Sequence, residues 1–116
     1  FVPTLRDANS VILTAASRSM PSFGCAPGND WTFFGDALIN NALRKPQGVR
    51  DAATEAFDLI KGWEKSHGLA RSNPQSHFGK DSKDWLAALD KAMPTVASKP
   101  VGTPAAAILD AGMARD

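Results

Sequence analysis

Residues 10–31 read S-V-I-L-T-A-A-S-R-S-M-P-S-F-G-C-A-P-G-N-D-W, and the architecture of the chain turns on how this stretch folds. Its first part is continuously apolar and rich in β-branched residues at Val11, Ile12 and Thr14. It is too short for a helix and shows no polar alternation, which suits a strand buried on both faces, as in a parallel sheet covered by helices. Small polar residues follow, then a loop broken by Pro21, Gly24, Pro27 and Gly28, with Asn29 or Asp30 as a candidate helix N-cap. Binding groups often sit where a buried strand empties into a loop ahead of a helix.

Outward from this strand the chain reads as helices. Residues 1–9 allow one helical turn after Pro3 and a turn at Asp7, Ala8 and Asn9. Trp31, Phe34, Leu38 and Ala42 recur at helical spacing until Pro46 and Gly48 break the pattern. The clearest helix follows: Val49, Ala52, Ala53, Ala56, Phe57, Ile60 and Trp63 mark one face, and Arg50, Asp51, Glu55, Asp58, Lys61 and Glu64 the other. Lys65 and His67 suit its C-terminal dipole, and Gly68 fits the C′ position. Residues 71–80 are polar and irregular around Pro74. Asp81 or Ser82 then caps a shorter helix on Trp85, Leu86, Leu89, Ala92 and Met93, stopped by Pro94. A linker over 95–103 leads to an Ala-rich helix over 104–115 with Pro104 at its first position. The expected class is α/β, mostly helical, with one clear buried strand over about 10–16. A lone strand forms no sheet, so its partners must come from sequence outside this chain, another chain, or weaker segments further along.

The 116 residues allow one domain or part of one, with an apolar fraction of 43%. Thirteen basic and twelve acidic residues are interspersed for a net charge of +1, which argues against a dedicated nucleic-acid or membrane-surface binder. No apolar run approaches the roughly 20 residues that span a bilayer. A first residue of Phe1, not Met, is expected of a processed, trimmed or partial chain. Cys25 is the one cysteine, so no intrachain disulfide forms, and the compartment stays open.

Cys25 with His67 and His77 invites a Cys–His nucleophile, but no spacing brings either imidazole to the thiol, and a plain loop residue is the favoured reading. The same residues match no zinc motif. No catalytic, metal or cofactor site is therefore assigned to this chain. His67 reads as a helix-end dipole partner, His77 as a solvated loop residue, and Trp31, Trp63 and Trp85 as core. Ser17, Ser19 and Ser22 lack a nucleophile elbow and a phosphate-cradling glycine pattern, yet are credible hydrogen-bonding groups beside a strand end.

Thr14 to Cys25 (T-A-A-S-R-S-M-P-S-F-G-C) and Asn29 to Ala37 (N-D-W-T-F-F-G-D-A) together resemble the C-terminal part of bacterial legumain-family cysteine peptidases, which share the caspase-like fold. F-V-P-T-L at residues 1–5, the amphipathic helix after Gly48 and S-N-P-Q at 72–75 extend the resemblance over about 1–79. It implies the C-terminal part of a three-layer sandwich, in which a six-stranded, mainly parallel sheet lies between helices. Residues 80–116 would be a helical extension of unassigned role.

The family's catalytic His and Cys would both lie upstream of Phe1, and Cys25 would not be the nucleophile. Thr14, Ala15, Ser17, Ser19 and Ser22 would supply the substrate-cleft wall. Partners implied are a peptide or protein substrate and the N-terminal catalytic half of the same protein, with no nucleic acid and no membrane contact by this segment. Where the family carries an acidic specificity residue, this chain has Ser19, which can hydrogen-bond an Asn-like side chain but supplies no charge for Lys or Arg. A non-catalytic caspase-like interaction module and an unrelated small helical binding domain are the alternative readings.

Overall fold

A computed structural model of the chain describes residues 2–24, 30–92 and 97–102. Helix and a small sheet are mixed in the order α1 (Val2–Leu5), β1 (Val11–Thr14), α2 (Phe33–Gly35), a π-helix (Asp36–Asn41), a 3-10 turn (Ala42–Arg44), α3 (Val49–Ser66), β2 (Gln75–Phe78), a second 3-10 turn (Lys80–Ser82) and α4 (Lys83–Ala92). The class is a mixture of helix and a two-stranded antiparallel sheet. Cys25, the proposed Asn29 cap and the helix expected over 104–115 lie outside the described residues.

The strand expected over about 10–16 forms, but only over Val11–Thr14, and each of its four residues is half-buried rather than enclosed on both faces. Its partner comes from the chain's own polar segment. Val11 pairs with Phe78, Ile12 with His77, Leu13 with Ser76 and Thr14 with Gln75. The segment over 71–80 is thus not wholly irregular. Gln75–Phe78 has no apolar alternation to announce it, and the pairing with β1 satisfies its backbone instead.

The strand pair is locked at its open end by the N-terminal turn. Gly79 N donates to Ser10 O (2.8 Å) and Asp81 N to Ala8 O (2.7 Å). A Cβ at Gly79 would run into the carbonyls of Asp7 and Ala8, so this close approach requires glycine.

The helical run over 33–44 is capped by Thr32, whose Oγ1 accepts from Gly35 N at 3.1 Å, and not by Asp30. It then widens into π-helix. Asn41 Nδ2 donates to the Asp36 carbonyl (2.7 Å), and a side chain inserted into the backbone ladder is a recognised cause of such widening.

Helix α3 runs as periodicity predicts, with Gly68 in the left-handed region at φ 65° just beyond its end. Ala52, Ala56 and Ile60 of α3 pack on Ala37, Leu38 and Ala42 to make the core. Alanines at this contact let the two helices approach closely, and Leu13 brings β1 onto the same cluster. Phe33 sits edge-on to Trp63 at 5.5 Å between ring centres. Trp63 is thus packed against the core, whereas Trp85 is 43% exposed and Leu89 44%, so α4 buries only Leu86 among its residues and the expected core role of Trp85 does not hold. Ile39, an apolar residue of the helical run over 33–44, is also exposed. Glu64, placed on the polar face by its spacing, is buried and accepts from Ser72 N at 2.7 Å.

Asn40 is 1% exposed and uses its full hydrogen-bonding capacity. Its amide nitrogen donates to Asp36 Oδ1 (2.8 Å) and Val101 O (2.9 Å). Its amide oxygen accepts from Val101 N (2.8 Å) and Arg44 Nε (3.2 Å). The described part of the linker, residues 97–102, therefore lies across this helix as an extended strap, with Ser98 N on Arg44 O (2.9 Å) and Trp31 Nε1 on Val101 O (3.0 Å). Asn40→Ala should lower unfolding free energy by about 2 kcal/mol, because buried partners lose their hydrogen bonds. Urea denaturation followed by tryptophan fluorescence measures the loss.

The turn after Ala42–Arg44 is tied to α3 by Glu55, which accepts from Lys45 and Gln47. Those bonds, Lys45 first, hold the Glu55 carboxyl below its ordinary value. A depressed folded pKa contributes stability above the unfolded carboxylate range of about 4, and that stability is lost as pH falls through the folded value. Glu55→Gln should therefore differ from the parent in melting temperature at pH 6 and converge on it below about pH 3, the region under the ordinary carboxylate range.

Candidate functional site

The C-terminal end of β1 and the start of β2 open into a cleft of about 970 Å³. Pairing of Thr14 with Gln75 brings the two strand ends together, and one side is closed by Val2, Pro3 and Thr4 of α1 and by Arg6 just after it. The loop leaving β1 is held in place by its backbone: Ser17 N donates to Ser72 O (3.0 Å), and Met20 N returns to Ser17 O (3.2 Å). That tight turn sets Arg18 at the cleft, where it lies among the lining residues.

The five residues expected to form a substrate wall separate into two groups. Thr14 and Ser17 line the cleft, both half-buried. The Thr14 hydroxyl donates to Ala16 O at 3.2 Å, which leaves its lone pairs toward other donors. Ala15 is half-buried and does not line the cleft, its place being taken by Ala16. Ser19 and Ser22 are exposed on the loop and also lie off the lining. An extended strand alternates its side chains between faces, so Thr14 and Ala15 point apart.

His77 stands differently from the solvated reading. It is half-buried on β2, lines the cleft, and lies with Nε2 2.8 Å from the Asp7 carbonyl. A carbonyl only accepts, so Nε2 carries the proton and Nδ1 is left as an acceptor in the neutral ring. His67, at the end of α3, places Nδ1 2.7 Å from Trp63 O, as a helix-end partner does. Sequence reasoning did not pick out Arg6, Arg18 or Gln75 as site residues. The available signal was positional: Arg18 lies between Ser17 and Ser19 in the strand-end loop, whereas nothing local couples Arg6 or Gln75 to it.

Asp7 shapes the rim. Its Oδ1 accepts from Ser10 Oγ (2.8 Å) and Asn9 N (2.8 Å). These bonds, Ser10 first, hold the carboxyl below its ordinary value, with His77 adding a weaker attraction. Among the described residues no group of three or more His, Cys, Asp and Glu side chains could hold a metal ion. Nor is any described helix long and apolar enough to cross a membrane.

Two substitutions test this scaffold. Asp7→Asn should cost stability at neutral pH and progressively less as pH falls below the carboxylate range, since a lowered folded pKa stabilises only the ionised form. Gly79→Ala should destabilise by about 2 kcal/mol by displacing the Asp7–Ala8 turn from β2, and thermal unfolding reads both.

No protein-family profile, curated protein or solved structure matches this chain.

Proposed function

We propose that this chain is the C-terminal segment of a caspase/legumain-like cysteine endopeptidase, a hydrolase whose catalytic His and Cys lie upstream of Phe1. The carrying observation is the cleft at the C-terminal end of β1, where Thr14 and Ser17 form part of the wall. Crevices at the carboxyl ends of strands are the usual ligand sites of open α/β sheets. An antiparallel neighbour such as β2 is also common at the edge of an otherwise parallel sheet. The half-burial of all four β1 residues, with Ile39 and Leu89 exposed, supports a further layer of the same protein covering these faces.

In the complete protein the upstream thiolate would attack the scissile carbonyl of a peptide held in this cleft. The upstream His would give its proton to the leaving amine, and water would then release the acyl group from sulfur. Oxyanion donors would come from the same upstream region. This chain's part is positional. Thr14 and Ser17 would hydrogen-bond substrate, and the helical layer of α3 and residues 33–44 would hold β1 in place. Alone the chain should not cleave peptides.

The full-length protein tests the assignment on peptides with Asn, Asp, Arg or Lys before the scissile bond. Replacement of the upstream Cys by Ala should abolish cleavage. Persistence of cleavage in that variant refutes the proposal. Ser17→Ala should reduce kcat/KM by about tenfold, the loss expected for one hydrogen bond of about 1.4 kcal/mol, without lowering the melting temperature.

A further inference from the structure

We infer that the outer flank of α3 receives an amphipathic helix of a partner protein, one that carries Lys or Arg along the edge of a small apolar stripe. The inference does not depend on the peptidase reading.

A shallow trough of about 630 Å³ runs along α3, and every residue lining it belongs to that helix. Leu59 and Trp63, half-buried against the core, make its apolar side. Asp51, Glu55 and Asp58 make it acidic, and no Lys, Arg or His lines it. The charges of α3 are therefore sorted by side, because Arg50, Lys61 and Lys65 all lie off the lining.

Two residues in the middle of the trough have no use inside the described fold. Asp58 makes no hydrogen bond or ion pair among the described residues, although Lys61 stands one turn further on. It is also too far along α3 to gain from the N-terminal dipole that favours Asp51. Glu55, by contrast, is taken up by Lys45 and Gln47. Gly62, one turn from Asp58, lies in the interior of an 18-residue helix, where glycine is less favourable than alanine. A Cβ there would meet no neighbouring atom within 4 Å, so among the described residues no close approach requires glycine, in contrast to Gly79. The bare backbone at Gly62 leaves a notch beside Asp58, Leu59 and Trp63 that admits a group from outside.

The chemistry of the trough selects its occupant. The backbone of α3 is bonded within the helix, so an extended peptide finds no open ladder to join, and recognition falls to side chains placed turn by turn. An Ala and Leu stripe on a second helix would cover Leu59, Trp63 and the notch. Cations seven residues apart on that helix would reach Asp51 and Asp58, which are themselves about two turns apart. The acidic lining disfavours phosphate-rich partners such as nucleic acid and anionic lipid. A second copy seated face to face would set Asp58 against like carboxylates. The chain's own residues 103–116 carry Asp110 and Asp116 against Arg115 and do not supply the charge.

The test uses the full-length protein and fluorescein-labelled peptides of about 18 residues, long enough to form helix. One is an Ala/Leu peptide with Lys at every seventh position beside its leucine stripe. Its controls are the same peptide with Glu for Lys and a scrambled Lys peptide of equal charge without the stripe. By anisotropy the Lys peptide should bind about tenfold tighter than either control, with the margin over the Glu peptide shrinking as salt is raised from about 50 to 500 mM. Asp58→Lys should weaken its binding about tenfold, and Gly62→Leu should abolish it by filling the notch. Lys61→Gln, off the lining, should leave it unchanged. Asp58 and Gly62 are exposed, and both replacements favour helix, so the variants should melt no lower than the parent. Equal binding of either control, no binding of any peptide, or binding indifferent to Asp58→Lys or to Gly62→Leu overturns the inference. Self-association of the protein that Gly62→Leu abolishes also overturns it and assigns the trough to a second copy.

Discussion

The pairing of β1 with β2 is the constraint on which the rest of this structure depends. It joins residues 11–14 to residues 75–78 and so closes a loop that contains the whole helical core. Closing a loop of that length carries an entropic cost, which four residue pairs of a small antiparallel ladder do not offset alone. The helices supply the remainder. Leu13 packs on the cluster of Ala37, Leu38, Ala42, Ala52, Ala56 and Ile60, while the Arg50 guanidinium covers Phe78 on the other strand. Burial of Glu64 against Ser72 N, and of Ser72 O against Ser17 N, stitches the end of α3 to the approach of both strands. The cleft exists because this pairing places Gln75 and His77 beside Thr14 and the loop that follows it.

Two kinds of polar device hold the assembly, and they differ in reach. Asn40 is deep, uncharged and fully bonded, and it does not itself titrate. Asp7 and Glu55 are shallow carboxylates whose bonds favour the ionised form, so their contribution is conditional. Asp90 adds a third link, accepting from Val49 N at 3.2 Å, where a carboxylate from α4 meets the positive end of α3. Together with the burial of Leu86, that bond holds α4 in place while Trp85 and Leu89 stay exposed.

Much of this was legible in residues with a strong local signal. Helix α3 follows from its apolar period and Gly68, and β1 from three β-branched or aliphatic residues bounded by small polar ones. What was not legible depends on distant partners. Q-S-H-F carries no period of its own, and only its pairing with β1 makes it a strand. Glu64 lies on the polar face by spacing, yet a backbone N–H eight residues later draws it inside. Trp85 lies on an apolar stripe, but α4 rests on little more than Leu86. At the cleft, Thr14 and Ser17 lie on the lining, as a strand running into a loop allows. Ala15 lies off it because alternation turns it away, and Ser19 and Ser22 because the tight turn at 17–20 carries the loop past the cleft.

That same turn changes which residue in the loop bears on chemistry. In an extended loop, Ser19 and Ser17 would share a side and Arg18 would face away from them. The backbone bond from Met20 to Ser17 abolishes that alternation and leaves Ser17 and Arg18 on the lining. The presence of a charged side chain between two serines is therefore not a neutral surface detail. Combined with Arg6 just after α1, it makes the electrostatic sign of the cleft a property of the turn's hydrogen bond as much as of the residues themselves. A single backbone contact, Ser17 N on Ser72 O, ties that turn to the segment that becomes β2. The interaction that closes the fold thus also sets the charge that a ligand would meet.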